Sequence, residues 1–336
     1  MPIADAEAVK FGLLVSYAYD MYSPGKTKPN REPRIAQAGW ETIAYLTASD
    51  ALMPKRQSLL AGQKKRVGFG DVVFYGFLTR NLTNPSLYAI AIRGTEGFAE
   101  WIIDAEFLPI PNPREPDTKV EQGFWGIYES MNLVDLEGNV INSVAAEGIA
   151  NIAGDGHVTV AGHSLGSALS TYLSLDIAKH PGPRVSACLF ASPRTGDAAW
   201  AALYDDIVGD YRLFNYVLDV VPYVPFDLPE AGVQYSTLSK ATIIQPSAPL
   251  ADIRLDIDCD HSVISYCAML DYEYTKARPL QPKDQQTWAH CVLGRREMSV
   301  NAGEVRILAG LVNEFGEGAK WIVEWQKARH HWTGDA

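Results

Sequence analysis

No run of roughly 18 consecutive apolar residues occurs in the chain, and a single helix needs about that many to span a bilayer. A conventional transmembrane helix is therefore not expected. Residues 1–14 lack a basic stretch followed by an apolar core, so no signal peptide of ordinary type is expected either. The location this implies is cytoplasmic, or exported by a leaderless route. Cysteine is scarce: the four are Cys188, Cys259, Cys267 and Cys291, and no C-x-x-C occurs, which removes the usual spacing of a zinc site or redox pair. Cys188 stands in an apolar run and reads as a buried thiol, while the pairing of the other three stays open. Positive charge is also in deficit, with 29 basic against 40 acidic side chains and a net charge of −11. A nucleic-acid partner would need a basic face, and an anionic lipid surface would not attract this chain electrostatically, so contact with a lipid interface would have to be mainly apolar. The short basic clusters at 26–34 and 64–66 read as solvated loops. No metal and no organic cofactor is implied.

What is present is a globular composition, 47% hydrophobic and 21% charged over 336 residues, enough to bury a large core. Runs rich in β-branched and aromatic residues predict strands at 72–78 and 87–92. Further strands are predicted at 158–161, 185–191 and 212–218, each apolar along its whole length. Helical patterning covers 123–152 and 165–178, and returns beyond residue 300. Residues 1–60 read as helix and polar loop, and the chain after Pro222 reads as irregular to about Asp258. Apolar strands alternating with helices predict an α/β fold with a mainly parallel central sheet flanked by helices on both faces. With no repeat or linker in sight, one domain is favoured, its core at about 65–265 with an N-terminal helical extension over 1–60 and a C-terminal helical segment over 300–330.

Gly162-His163-Ser164-Leu165-Gly166 fits G-x-S-x-G, with an apolar strand before it and a small-residue helix after it. A sharp strand-to-helix bend exposes the serine Oγ, tolerates only small residues two positions to either side, and leaves helix N–H groups to face a developing oxyanion. Ser164 is thus the candidate nucleophile. It needs a histidine base and a carboxylate that orients it, in the chain order Ser, Asp or Glu, His. Asp219, at the end of an apolar strand, is the candidate acid. His180 reads as a helix C-cap, and His330 and His331 lie in a polar tail, which leaves His261 with His290 as its rival. The N–H of Leu165 and a donor from Thr95, in the loop after the 90–92 strand, are the candidate oxyanion hole. The apolar Trp101, Ile102, Ile103 and Phe107 follow directly. Their spacing suits a buried amphipathic helix or a lid over the site that turns outward at a lipid surface.

The stretch from Ala161 to Leu169 (AGHSLGSAL) resembles the elbow of the class 3 lipases, the fungal-type lipase and feruloyl esterase family of the α/β-hydrolase superfamily. Four further segments resemble that family in order: Ile92-Arg93-Gly94-Thr95; Trp101-Ile102-Ile103-Asp104; Phe190-Ala191-Ser192-Pro193-Arg194-Thr195-Gly196-Asp197; and Asn215-Tyr216-Val217-Leu218-Asp219-Val220-Val221-Pro222. The resemblance implies an α/β-hydrolase fold, a Ser164-Asp219-His261 triad, Thr95 as an oxyanion donor by both N–H and hydroxyl, and a lid at 101–107. It implies a serine carboxylic-ester hydrolase of triacylglycerol lipase or esterase type, with an ester or lipid as substrate. Short-chain or aryl esterase, phospholipase A1 and acyltransferase activities are alternatives on the same site, and a non-catalytic binding module is the alternative of another class. The chain departs from the family at Glu121, where a histidine is common, at Ser167 and Ala191, where glycine is common, and in lacking an aromatic residue after His261 until Tyr266.

Overall fold

The structure, a computed structural model, describes residues 3–24, 26–49, 71–95, 107–227, 234–246, 252–254 and 256–293. Helix α1 (Asp5–Met21) and the short α2 (Pro33–Gln37) precede β1 (Trp40–Ser49), β2 (Val72–Asn81) and β3 (Leu87–Ile92). A small ribbon, β4 (Pro109–Pro111) with β5 (Lys119–Glu121), leads into α3 (Gln122–Glu129), β6 (Asn132–Val134), β7 (Val140–Asn142) and α4 (Ala145–Ala153). The centre of the chain is β8 (His157–His163), α5 (Leu165–Lys179), β9 (Arg184–Phe190), α6 (Ala198–Ile207) and β10 (Tyr211–Tyr216). A 3-10 turn (Val221–Tyr223), β11 (Ala241–Ile244), β12 (Asp252–Ile253), α7 (Ile257–Asp260), α8 (Val263–Leu270), α9 (Tyr272–Lys276), α10 (Pro282–Cys291) and β13 (Val292–Leu293) complete the described chain.

Among the described residues one nine-stranded sheet runs in the order β11-β10-β9-β8-β3-β2-β1-β6-β7. The block from β3 through β8, β9 and β10 to β11 is parallel, and an antiparallel flank of β2, β1, β6 and β7 extends it. Side chains alternate between two apolar layers, as the two-residue period of a strand requires. Ile90, Val160 and Leu189 point to one layer with α3, α4, α5 and α6, while Ala91, Ala161 and Phe190 point to another with α1 and α8. Helices on both faces explain why the parallel strands are mainly apolar, apart from buried polar residues such as Thr159, Ser186 and Asn215.

Three elements differ from the sequence reading. Residues 40–49 form a long strand rather than helix or loop, paired on both sides with β2 and β6. The helical pattern at 123–152 is cut by the β6–β7 hairpin. Its turn is built by Asp135, whose Oδ1 accepts from Glu137 N at 2.9 Å and Asn139 N at 2.8 Å, with Gly138 at φ 98°. The irregular stretch after Pro222 contains β11, an edge strand parallel to β10. The cluster at 26–34 is not wholly solvated either: Arg34 is buried, because Asp20 and Glu32 each meet its Nη2 at 2.6 and 2.8 Å. The cluster at 64–66 and the helical segment beyond residue 300 lie outside the described residues. No helix among the described residues is long and apolar enough to cross a membrane.

Helix α1 is part of the core. It buries Val9, Leu13, Leu14, Val15 and Ala18 against β3, β8 and α8. Leu14 is 1% exposed, so Leu14→Ala is expected to lower the unfolding free energy by about 2–5 kcal/mol in urea denaturation. A loss below about 1 kcal/mol would mean that α1 is peripheral to the fold.

Candidate active site

The site gathers at the carboxyl ends of neighbouring parallel strands: Thr95 after β3, Ser164 directly after β8, and Asp219 after β10. An open α/β sheet concentrates functional groups at this edge. Ser164 is the N-cap of α5 and stands at φ 60°, ψ −132°. A non-glycine residue held there stores strain of about 1–3 kcal/mol, which the surrounding packing must sustain. The bend is possible because nothing projects from its flanks. A Cβ on Gly162 would collide with the carbonyl oxygen of Gly166, and one on Gly166 with the carbonyl oxygen of Ile92. Ser167 completes the joint, its Oγ donating to Gly162 O at 2.8 Å and accepting from Phe190 N at 3.0 Å. The hydroxyl thus pins the helix to β8 and β9. Ala191, at φ 49°, occupies a backbone position better suited to glycine.

The structure brings Ser164, His261 and Asp219 together. His261 Nε2 lies 2.7 Å from Ser164 Oγ, and its Nδ1 lies 2.8 Å from Asp219 Oδ2. An ionised carboxylate only accepts, so Nδ1 donates to Asp219 and Nε2 is left to accept from the serine hydroxyl. Asp219 is fixed on both oxygens: Val221 N donates to Oδ1 at 2.9 Å, and Tyr266 Oη donates to Oδ2 at 2.8 Å. Tyr266 accepts in turn from Tyr216 N at 2.8 Å. Burial and the neighbouring Asp219 push the Tyr266 phenol well above its ordinary pKa, so it stays a donor. Ser164 is 1% exposed and Asp219 1%, so the two ends of the hydrogen-bonded chain lie in a low-dielectric setting that strengthens its bonds. His290, the rival base, stands exposed on α10, and no hydrogen bond joins it to Ser164 or Asp219. His180 caps α5, as its position suggested.

The loop after β3 is tied down by Arg93. Its buried guanidinium donates to Phe74 O at 2.9 Å and Gly94 O at 2.7 Å, and stacks 3.5 Å from the Tyr22 ring centroid. A Cβ on Gly94 would lie 2.9 Å from Ser164 Cβ, so the backbone that leads into Thr95 rests directly on the serine. Leu165 is the first residue of α5, where its N–H has no partner within the helix. Phe107 is half-buried and packs its ring 5.9 Å from that of Phe124. Trp101, Ile102 and Ile103 lie outside the described residues. Glu121, in place of a histidine, is a buried N-cap that accepts from Phe124 N at 2.6 Å. Arg194 pairs with Asp227 at 3.2 Å, consistent with a role in holding a loop. Among the described residues no group of three or more His, Cys, Asp or Glu side chains is arranged to hold a metal ion.

Two contributors were not singled out from sequence. Tyr19, on α1, places its hydroxyl 2.8 Å from His163 Nδ1, and the His163 ring stacks 4.6 Å from that of His261. Burial holds the His163 pKa well below the ordinary imidazole range, with His261 adding to the shift, so His163 is a neutral wall beside the base. The second is the Cys259–Cys291 disulfide, which joins α7, two residues ahead of His261, to the end of α10. Cys188 and Cys267 are buried free thiols. A general aromatic count would not have found Tyr266 as the partner of Asp219, although its position four residues into α8 was the only aromatic signal near His261.

Tyr266→Phe removes one donor from Asp219 and leaves Tyr216 N–H unpaired. It is expected to cost about 1–3 kcal/mol in urea denaturation and to lower kcat on a soluble ester more than it raises KM; an unchanged kcat would show that the second donor is dispensable. Reducing Cys259–Cys291, or replacing both with serine, is expected to cost about 2–4 kcal/mol for a loop of this size. It should also lower kcat by loosening the turn before His261, and equal activity with and without dithiothreitol would contradict that.

Residues 89–228 match the family model described as Lipase (class 3). Phospholipase A1 EG1, chloroplastic/mitochondrial, of Oryza sativa subsp. indica is 27% identical over 237 residues, 61% of this chain and 54% of that protein. The lipase of Rhizomucor miehei is 29% identical over 205 residues, 58% of this chain and 53% of that protein. The chain therefore spans about half the length of these curated relatives. The solved native Rhizomucor miehei lipase propeptide complex superposes with a TM-score of 0.50 at 20% identity, covering 80% of this chain and 78% of that one, which marks a shared fold. Residues 89–228 are thus similar to the class 3 lipase family, and the sheet, helices and elbow form the α/β-hydrolase fold.

Proposed function

We propose that the protein hydrolyses carboxylic esters of the acylglycerol type through an acyl-enzyme on Ser164. The observation that carries this reading is the unbroken hydrogen-bonded chain from Ser164 Oγ through the His261 ring to Asp219. His261 Nε2 takes the hydroxyl proton as Ser164 attacks the ester carbonyl. Asp219 steadies the imidazolium through Nδ1–H, and the neutral His163 ring beside it adds no competing charge. The N–H of Leu165 and the N–H and hydroxyl of Thr95 face the oxyanion, a preorganised donor pair of which each member contributes about 3 kcal/mol of transition-state stabilisation. The tetrahedral adduct collapses, His261 hands its proton to the departing alcohol, and water, activated by the same imidazole, releases the acid.

Ser164 is closed off in this conformation, so a bulky ester reaches it only after an opening step. That requirement agrees with a lipid-like substrate and with transient contact at a lipid interface. The match of residues 89–228 to the class 3 lipase model and the two named relatives, a lipase and a phospholipase A1, support ester chemistry at this site.

A fluorophosphonate probe is expected to label the wild-type protein at Ser164 and to leave Ser164→Ala unlabelled. Hydrolysis of a p-nitrophenyl ester should fall by roughly 10⁴- to 10⁶-fold in that variant. A folded wild-type protein that the probe does not label would point instead to a binding module.

A further inference from the structure

Helix α10 forms one wall of a cavity of about 460 Å³ that reaches Thr95, His163 and His261, and α1 contributes Ser16, Tyr19 and Asp20 to the same cavity. Asp284, Thr287 and Cys291 stand three and four residues apart, so one face of α10 supplies that wall. The two ends of the helix are held by different means. At its end Cys291 is bonded to Cys259, and β13, which follows, pairs with β12. At its start no covalent bond intervenes. Asp284, in the first turn, accepts from Ser16 Oγ of α1 at 2.7 Å, and Gln281, the N-cap, hydrogen-bonds Glu32 at the head of α2.

The fastening at the start is a buried cluster of three carboxyls around one guanidinium. Arg34 lies 2.6 Å from Asp20, 2.8 Å from Glu32 and 3.6 Å from Asp284, and none of the four side chains is more than 11% exposed. Asp20 and Glu32 take the short contacts. A third ionised carboxylate would add a buried charge that this one cation does not balance, which is costly. A proton removes that cost. Oδ2 of Asp284 already faces two donors, Ser16 and Arg34, which leaves Oδ1 to carry it. Burial first, then the charge of Asp20 and a hydrogen bond with it, outweigh the opposing pull of Ser16 and Arg34 and push the Asp284 carboxyl up to about 7. The other titratable groups around the cluster are Lys283 and His290 of α10, Asp258 of α7, and Tyr17 and Tyr19 of α1. Tyr17, whose ring lies under the Arg34 guanidinium, stays neutral because burial pushes it up to about 12.

We propose that α10 is a strap fastened by a proton: while Asp284 holds it the first turn stays docked on α1 and α2, and its loss frees that end to lift about the Cys259–Cys291 bond and widen the cavity beside His261. The direction follows from linkage. Docking raises the affinity of Asp284 for a proton, so docking is strongest below the ordinary carboxylate range. It weakens by up to about tenfold per pH unit as pH rises from there to about 7, and is level above that. Glu32 works in the opposite sense: despite burial, its bonds to Arg34 hold it below the ordinary range, so its contribution is lost as pH falls. A comparison with an Asp284 variant therefore isolates the strap. Its bearing on access to His261 rests on the hydrolase reading above, whereas the movement itself is read without substrate.

Amide hydrogen exchange of the full chain, corrected for the intrinsic effect of pH, tests the strap. In the wild type the α10 amides should lose at least about tenfold in protection between about pH 5 and about pH 7, with no comparable loss in α5. Asp284→Asn carries a donor at every pH and should abolish that loss. Its Tm should gain on the wild type by at least about 3 °C over the same interval and gain no more at higher pH. Asp20→Asn removes the neighbouring carboxylate and should abolish the loss as well, which serves if Asp284→Asn does not fold. Wild-type α10 protection that is constant with pH, a loss shared equally by α5, or an undiminished loss in a folded variant overturns the strap. No ester enters these measurements, so failure of a fluorophosphonate to label Ser164 overturns the hydrolase reading alone.

Discussion

The bend at Ser164 governs the rest of the site. A strand that must turn into a helix within one residue forces that residue to φ 60°, and the turn closes only because Gly162 and Gly166 present no side chain to each other or to Ile92. The cost of the strained backbone is met by neighbours that have no chemistry of their own. Ser167 hydrogen-bonds across to β8 and β9, and Ser164 N donates to Phe190 O at 3.0 Å. The result is a hydroxyl whose position is set by main chain and sheet rather than by its own rotamer, which is the condition for a second group to be aimed at it.

That second group is aimed from a distance in sequence. Asp219 leaves β10 with both oxygens engaged, and Tyr266 reaches back from α8 to hold one of them. His261 sits between α7 and α8, and the Cys259–Cys291 bond ties the turn before it to α10. On its other face the ring stacks on His163, which Tyr19 holds from α1. The imidazole is thus confined by elements from both ends of the described chain. Helices α1 and α10 also meet beside it through Ser16, Asp20, Arg34 and Asp284.

What was legible from sequence follows from how local the physics is. The elbow is written in seven consecutive residues, because strand, glycine, serine, glycine and helix act on one another directly. Asp219 and His261 were legible from chain order and from segments that resemble a known family. The fold class was legible from apolar strands alternating with helices. Strand β1 carries strand-favouring types at Trp40, Thr42, Ile43, Tyr45 and Thr47 without a clean alternation of apolar and polar positions, and its pairing with β2 and β6 is a tertiary event. The three-residue strands β6 and β7 are too short for a two-residue period to register. Tyr19 and His163 stand 144 residues apart, and Ser16 and Asp284 stand 268 apart. No pattern within a window announces such pairs, so the part played by α1 at the site emerges only from packing.

A nucleophile on this bend that is acylated and then released by one imidazole must pass through a covalent acyl-enzyme. Rapid mixing with a p-nitrophenyl ester, acid quenching, and mass spectrometry of the proteolysed chain tests it directly. One acyl group is expected on the peptide that contains Ser164, accumulating further when deacylation is slowed. Turnover of the ester with the acyl group on another residue, or with no covalent adduct under conditions that trap one on a known serine esterase, would contradict it.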